Sequence, residues 1–231
     1  MGDELSRIQF IPADYLVLVK GASQISGIFY QYIVKKVFVN GYGSIGSRIA
    51  QFIADDKDIE VIGVGKYSPD DKVADAISRG FHVYVPKAKT ESFKNYKISG
   101  TIEDAISQSD LVIDASPGGV GYQNKKTLYG PKNVSAIFQG GEKIGGEESV
   151  AGLIFNSRVN YEKAFDSKYV MQGSCNVTGM GRMLQPLKEK YGKRLKRFDA
   201  TLLRRWADLE DSKTQVKDSI EWTRKPHHNE D

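Results

Sequence analysis

Cysteine is almost missing from this chain: one residue in 231, Cys175. A single thiol closes no intrachain disulfide, which excludes a disulfide-stapled scaffold and points to a reducing, cytoplasmic setting. Long apolar runs are missing as well. None reaches the roughly 18 consecutive apolar residues of a membrane span. The pieces Tyr15–Val19 and Ile28–Tyr30 are broken by Lys20, Gly21, Ser23, Gln24 and Ser26. Asp3 and Glu4 stand where a secretory signal carries its basic start, so residues 1–34 do not read as a signal. Neither sign of charge dominates: 33 Lys and Arg face 29 Asp and Glu, for a net +4. That balance permits anionic ligands but falls short of a nucleic-acid-binding signature. Internal repeats and low-complexity tracts are absent. With 40% hydrophobic and 27% charged residues, disorder and collagen-like readings are excluded.

Glycine, by contrast, is in surplus, at 23 residues, against a usual share of roughly 7%. Its placement follows a rhythm that starts at Lys35. Short apolar strands (Val37–Asn40, Ile59–Val64, Phe81–Val85, Leu111–Ala115, Val134–Phe138) alternate with helical spacings at Ser44–Asp55, Asp70–Arg79, Thr101–Gln108 and Tyr122–Tyr129. On the first helix Ile45, Ile49, Phe52 and Ile53 fall on one face. Thr101 and Asp104 have capping-box spacing. Strands that are almost wholly apolar and alternate with helices predict an α/β fold, a Rossmann-type doubly wound parallel sheet over residues 35–150. After 150 the rhythm changes. One long helix, Cys175–Tyr191 ending at Gly192, and a strand at Arg197–Trp206 predict the beginning of an α+β domain over 151–231.

Three glycine clusters end predicted strands. Gly41-Tyr42-Gly43-Ser44-Ile45-Gly46 fits G-x-G-x-x-G and lies between a strand and a helix, the context that gives this weak pattern meaning. The first glycine permits the tight turn, the second lets backbone approach a pyrophosphate, and the third packs helix on strand. Ser116–Gly119 and Gln139–Gly141 end two further strands, and ligands of open α/β sheets bind at that edge. A plain loop-forming role is the alternative for either cluster. An NAD-selective site carries Asp or Glu about 20 residues past the glycines. Here Gly63–Ser68 holds no carboxylate, and Lys66 can pair with a 2′-phosphate. The expected cofactor is therefore NADP or NAD, with both accepted; a solvated loop lysine is the alternative for Lys66.

Cys175 opens the predicted long helix, whose N-terminus favours a thiolate. Taken alone, it reads rather as a small buried hydrophobe. A nucleotide domain before it tilts the reading to chemistry, because a thiolate adds to an aldehyde and a hydride can then leave. His82 lies in an apolar strand and reads as structural. His227 and His228 lie some fifty residues past Cys175, as candidate bases or as a solvated loop. Arg204 and Arg205, adjacent on a predicted strand, point to opposite faces, and either suits a phosphate. The basic run Lys188–Arg197 reads as a solvated face.

Five motifs occur in order: Val39–Gly46, Ile113–Gly121, Phe138–Lys143, Ser174–Gly179 and Arg204–Asp208. Together they closely resemble the archaeal-type phosphorylating glyceraldehyde-3-phosphate dehydrogenases, from about Lys35 to the last residue. The resemblance implies Ser44 and Ile45 on the cofactor pyrophosphate, with Gly141 and Arg205 also touching the dinucleotide. It implies Cys175 as nucleophile, Ser174 and Asn176 beside the substrate, and His228 and Asn229 as the substrate-binding pair. Glyceraldehyde 3-phosphate and inorganic phosphate would be the substrates, 1,3-bisphosphoglycerate the product, and a homotetramer the assembly. Family chains continue well past residue 231 and begin near Val34, so residues 1–34 have no counterpart; a mis-assigned upstream start is the preferred account of them. A semialdehyde dehydrogenase shares the two-domain plan, but the Gln139–Lys143 and Arg204–Asp208 motifs argue against it. A non-catalytic nucleotide-binding fragment is the alternative from another class.

Overall fold

The computed structural model of the chain describes residues 34–139, 141–165 and 167–201. The elements are β1 (Lys35–Asn40), α1 (Ser44–Ala54), β2 (Ile59–Gly65), α2 (Asp71–Ser78), β3 (Val83–Val85), β4 (Gly100–Thr101), α3 (Ile102–Ser107), β5 (Leu111–Asp114), α4 (Val120–Asn124), β6 (Ser135–Phe138), β7 (Ile154–Phe155), β8 (Tyr169–Gln172) and α5 (Cys175–Tyr191). The eight strands form one sheet in the order β4-β3-β2-β1-β5-β6-β8-β7, and every pairing is parallel. The chain winds outward from β1 to β4, then returns to β5 on the other side of β1. That reversal leaves a crevice beyond the carboxyl ends of β1 and β5, where such sheets take their ligands.

Alternation along the strands builds the layers. Val39, Val64, Val83 and Val85 join Tyr42, Ala50, Val73, Ala76 and Phe93 in one buried cluster, against α1 and α2. Phe38, Tyr84 and Val112 turn the other way, into a second cluster with Ile102, Ala105, Ile106, Tyr129 and Phe138. Both faces are covered, which is why the strands read as continuous apolar runs rather than as alternating ones.

The α/β reading holds, with particular differences. On α1 the buried residues are Gly46, Ser47 and Ala50, whereas Ile45 and Phe52 are exposed. The small residues let the helix lie close to the sheet and turn the two large ones outward. The capping box forms: Thr101 Oγ1 accepts from the Asp104 N–H and Asp104 accepts from the Thr101 N–H. The single helix expected at Tyr122–Tyr129 is instead α4 followed by a π-helical turn, Lys125–Tyr129. Residues beyond 150 continue the same sheet, because β8 pairs with β6 and β7 with β8. The strand expected at Arg197–Trp206 is not present over residues 197–201, and its remainder lies outside the described residues. Helix α5 matches its expected span, and none of its described side chains is buried. Among the described residues no helix is long and apolar enough to cross a membrane, and no three His, Cys, Asp or Glu side chains cluster as for a metal ion.

Candidate active site

A cleft of about 400 Å³ opens at the carboxyl ends of β1, β2 and β5. Its walls are Gly41–Ile45, Gly65–Ser68 with Asp70, and Ala115–Gly118. The first glycine motif is built as a phosphate cradle requires. Gly41 has φ of +110°, and a β-carbon there would stand 2.8 Å from the Ala115 carbonyl oxygen. A β-carbon on Gly46 would lie 1.7 Å from the Gly41 carbonyl oxygen, so that site keeps α1 against the turn. Gly43 faces open space instead. It is the N-cap of α1, where no side chain caps the helix and no acidic residue occupies the first turn. The first-turn N–H groups and the helix dipole are therefore left for an anion. A dinucleotide pyrophosphate fits this arrangement: a gap where a side chain would stand, uncapped amides behind it, and no competing carboxylate in that turn.

The second and third loops meet. A β-carbon on Gly118 would lie 2.7 Å from the Gly141 carbonyl oxygen, so Gly141 abuts the cleft wall. Glu142 Oε1 accepts from the Gly121 N–H at 2.9 Å and ties the loop after β6 to α4.

Lys66 lines the cleft but does not stand free. Its Nζ donates to both carboxylate oxygens of Asp70, at 2.6 and 2.8 Å, and its side chain is only 8% exposed. Asp70 also caps α2 by accepting from the Lys72 N–H. The sequence pattern does not mark this carboxylate, because it stands past Ser68, beyond the end of β2, where it caps α2. Sequence reading missed Tyr67, Asn40, Asp114, Asn124 and Tyr129 too. Asn40 and Asp114 carried a signal: each is the polar residue that ends an apolar run leading into a glycine-containing loop. Burial pushes the Tyr67 hydroxyl up to about 12, with the Asp114 and Glu103 carboxylates adding to the rise.

Cys175 lies on the same edge of the sheet, because β8 runs parallel to β6 and ends at Gln172 just before it. Three strand spacings separate β1 from β8, roughly 14 Å. Ser174 is the N-cap of α5, its Oγ accepting from the Val177 N–H at 3.3 Å. Cys175 is exposed, and its Sγ lies 3.9 Å from Asn176 Oδ1. Gln172 Nε2 donates to Thr178 Oγ1, and Thr178 Oγ1 to the Gly173 carbonyl, which braces the turn before the cysteine. Of the expected residues, the structure gathers Gly41, Gly43, Ser44, Ile45 and Lys66 in one cleft, with Gly46 beneath it and Gly141 against its wall. Ser174, Cys175 and Asn176 form a separate turn outside that lining. Arg205, His228 and Asn229 lie outside the described residues.

Fold and site define the class: an α/β Rossmann-like protein with a glycine-rich cleft at its switch point. No family model matches the chain. Its relatives carry the comparison further. A glyceraldehyde-3-phosphate dehydrogenase of Methanothermus fervidus is 40% identical over 178 residues, 76% of this chain and 51% of the relative. The enzyme of the same name from Halobacterium salinarum is 41% identical over 176 residues, 75% and 50% of the two chains. That of Picrophilus torridus is 39% identical over 189 residues, 80% and 53%. These archaeal glyceraldehyde-3-phosphate dehydrogenases are homologues of the chain, which spans about half the length of the curated relatives it matches. Among solved structures, an aspartate semialdehyde dehydrogenase with NADP from Candida albicans aligns at 18% identity and TM-score 0.49, over 69% of this chain and 48% of that one.

Proposed function

We propose that the chain carries the cofactor cleft and the nucleophile of a phosphorylating glyceraldehyde-3-phosphate dehydrogenase of the cytoplasm. The observation that supports this best is the coexistence, on one edge of one parallel sheet, of an uncapped glycine-rich helix start and an exposed cysteine at the first position of another helix. Ser44 and Ile45 hold the pyrophosphate with their backbone amides, and Gly141 and Arg205 complete the dinucleotide contacts. NAD or NADP, when bound, supplies the hydride acceptor. The Cys175 sulfur, exposed at the first position of α5, adds to the aldehyde carbon of glyceraldehyde 3-phosphate. Ser174, Asn176, His228 and Asn229 hold the substrate. The α5 amides stabilise the oxyanion as the carbonyl oxygen gains charge. After oxidation the acyl group remains on Cys175 as a thioester. Phosphate attacks its carbonyl carbon, the C–S bond breaks, and 1,3-bisphosphoglycerate leaves with the thiolate restored. The working assembly is a homotetramer.

The Lys66–Asp70 pair refines the cofactor choice. Lys66 suits a 2′-phosphate, while Asp70 suits a ribose 2′-hydroxyl, so both cofactors are accepted. Lys66→Asp lowers NADP affinity relative to NAD; an unchanged ratio sinks the role of Lys66. Turnover of glyceraldehyde 3-phosphate with each cofactor, with and without phosphate, tests the reaction itself. Phosphate-dependent turnover that disappears in Cys175→Ser supports it. Dinucleotide binding without turnover favours the second reading, a non-catalytic nucleotide-binding unit, which the absence of any buried described residue in α5 supports.

A further inference from the structure

Beneath the floor of the cleft runs a line of buried polar side chains to which the motifs assign no role. Asn40 and Asp114 are register partners at the ends of β1 and β5 and are 0% and 2% exposed. Asp114 Oδ2 accepts from the Tyr129 hydroxyl at 2.5 Å and from Asn124 Nδ2 at 2.9 Å. Its Oδ1 accepts from the Ser116 N–H at 2.9 Å. Asn40 Nδ2 donates to the Tyr129 oxygen at 2.6 Å, and the Tyr67 hydroxyl donates to Asn40 Oδ1 at 3.0 Å.

The order of donors is forced. Asp114 Oδ2 accepts from the Tyr129 hydroxyl, which uses the single Tyr129 proton. The Tyr129 oxygen must then accept, which aims the Asn40 amide nitrogen at it and turns Oδ1 the other way. An amide oxygen only accepts, so Tyr67 must donate. The π-helical turn brings Tyr129 under the strand ends. There is no slack above: a β-carbon on Gly65 would stand 2.6 Å from Asn40 Oδ1. Both outer ends reach the cleft, since Tyr67 and Ser116 line opposite walls. Asn124 Nδ2 also reaches Ser116 Oγ at 3.1 Å, a second tie at that end.

We propose that Tyr67, Asn40, Tyr129 and Asp114 act as one positioning relay, coupling the loop after β2 to the loop after β5 and thereby setting the dinucleotide affinity of the cleft. This rests on reading the cleft as a dinucleotide site. The four side chains touch no ligand through Asn40, Tyr129 or Asp114; those three work through the walls they hold. A buried network that only stabilises the fold has a different signature. Its loss lowers the melting temperature and leaves the affinity of the remaining folded protein alone.

The experiment measures NADP and NAD dissociation constants by titration calorimetry, with melting temperatures alongside, for the chain, Tyr67→Phe, Tyr129→Phe and the double variant. Losing one hydrogen bond of this kind weakens binding about 5–10-fold in each single variant. The relay predicts non-additivity: the double variant binds no more than about twofold more weakly than the weaker single, because either break uncouples the same two walls. If Tyr129→Phe does not fold, Asp114→Asn replaces it at the far end, since an amide nitrogen cannot accept the bond that the second carboxylate oxygen takes, and the same non-additivity with Tyr67→Phe is required. Binding by the parent chain with unchanged affinity in the single variants overturns the relay and leaves the cleft reading standing. Fully multiplicative effects also overturn it. No dinucleotide binding by the parent chain overturns the cleft reading and the relay together.

Discussion

The two ends of this sheet edge are held by different means. At the cleft, three loops from distant parts of the chain are fixed to each other by close backbone approach and by buried hydrogen bonds spanning as many as 89 residues of sequence. At the cysteine turn most bonds are local, Ser174 to Val177, Gln172 to Thr178 and Thr178 to Gly173, and one reaches farther, from Asn156 Nδ2 to the Thr178 carbonyl. Helix α5 then runs on with no described residue buried. A cradle for a rigid diphosphate needs several walls at set distances, and only long-range contacts supply them. A nucleophile needs a helix N-terminus and access, and four or five consecutive residues supply both. The cleft is thus assembled by long-range contacts, whereas the cysteine turn is placed by β8 and shaped mostly by its own sequence.

That contrast can be broken experimentally. Cys175→Ser should have the largest effect, cutting turnover by about 10³-fold or more while leaving dinucleotide affinity and melting temperature unchanged. A parallel loss of cofactor binding would show that the two ends are not separable. Gly41→Ala should do the reverse. With φ of +110° and a carbonyl oxygen 2.8 Å from the new β-carbon, it should abolish measurable dinucleotide binding and lower stability by about 2 kcal/mol. Binding within threefold of the parent would contradict the cradle geometry.

Alkaline titration sharpens the comparison further. Tyr67 holds its proton to about pH 12, against an ordinary value of 10, through burial first. Its folded value lies above its unfolded one, so its contribution is full below pH 10 and is lost as pH rises towards 12. The parent should therefore lose stability faster than Tyr67→Phe over that window, as read by denaturant midpoints at each pH. Equal slopes would show that Tyr67 titrates as in an unfolded chain. The smallest effect belongs to Thr101→Ala, remote from both ends. Losing the capping box should cost about 1 kcal/mol and leave the dinucleotide affinity untouched.

The legible features were the local ones. Thr101 and Asp104 announced a helix start that the structure contains. The spacing at Cys175–Tyr191 located α5, and the apolar runs located β1, β2, β5 and β6. Strands β4 and β7 have two residues each, too few to show any periodicity, and owe their state to the neighbours they pair with. Ile45 and Phe52 followed the apolar spacing of a buried face but are exposed, because Gly46, Ser47 and Ala50 bring the backbone of α1 to the sheet. Within the site, the glycines of the first motif were readable from their strand–turn–helix setting. Asp70 was not: it read as a helix start, and its partnership with Lys66 depends on the path of the turn between β2 and α2. The relay was half visible, in Asn40 and Asp114 at the strand ends. Tyr129 depends on a π-helical turn that no spacing rule anticipates.

The most direct test of the proposed chemistry is to trap the acyl group. The chain is incubated with glyceraldehyde 3-phosphate and the preferred dinucleotide in the absence of phosphate, then digested and mapped by mass spectrometry. The expected result is an acyl adduct on the Cys175 peptide, absent from Cys175→Ser and discharged when phosphate is added. A chain that binds dinucleotide but gains no adduct at Cys175 would contradict the proposed chemistry.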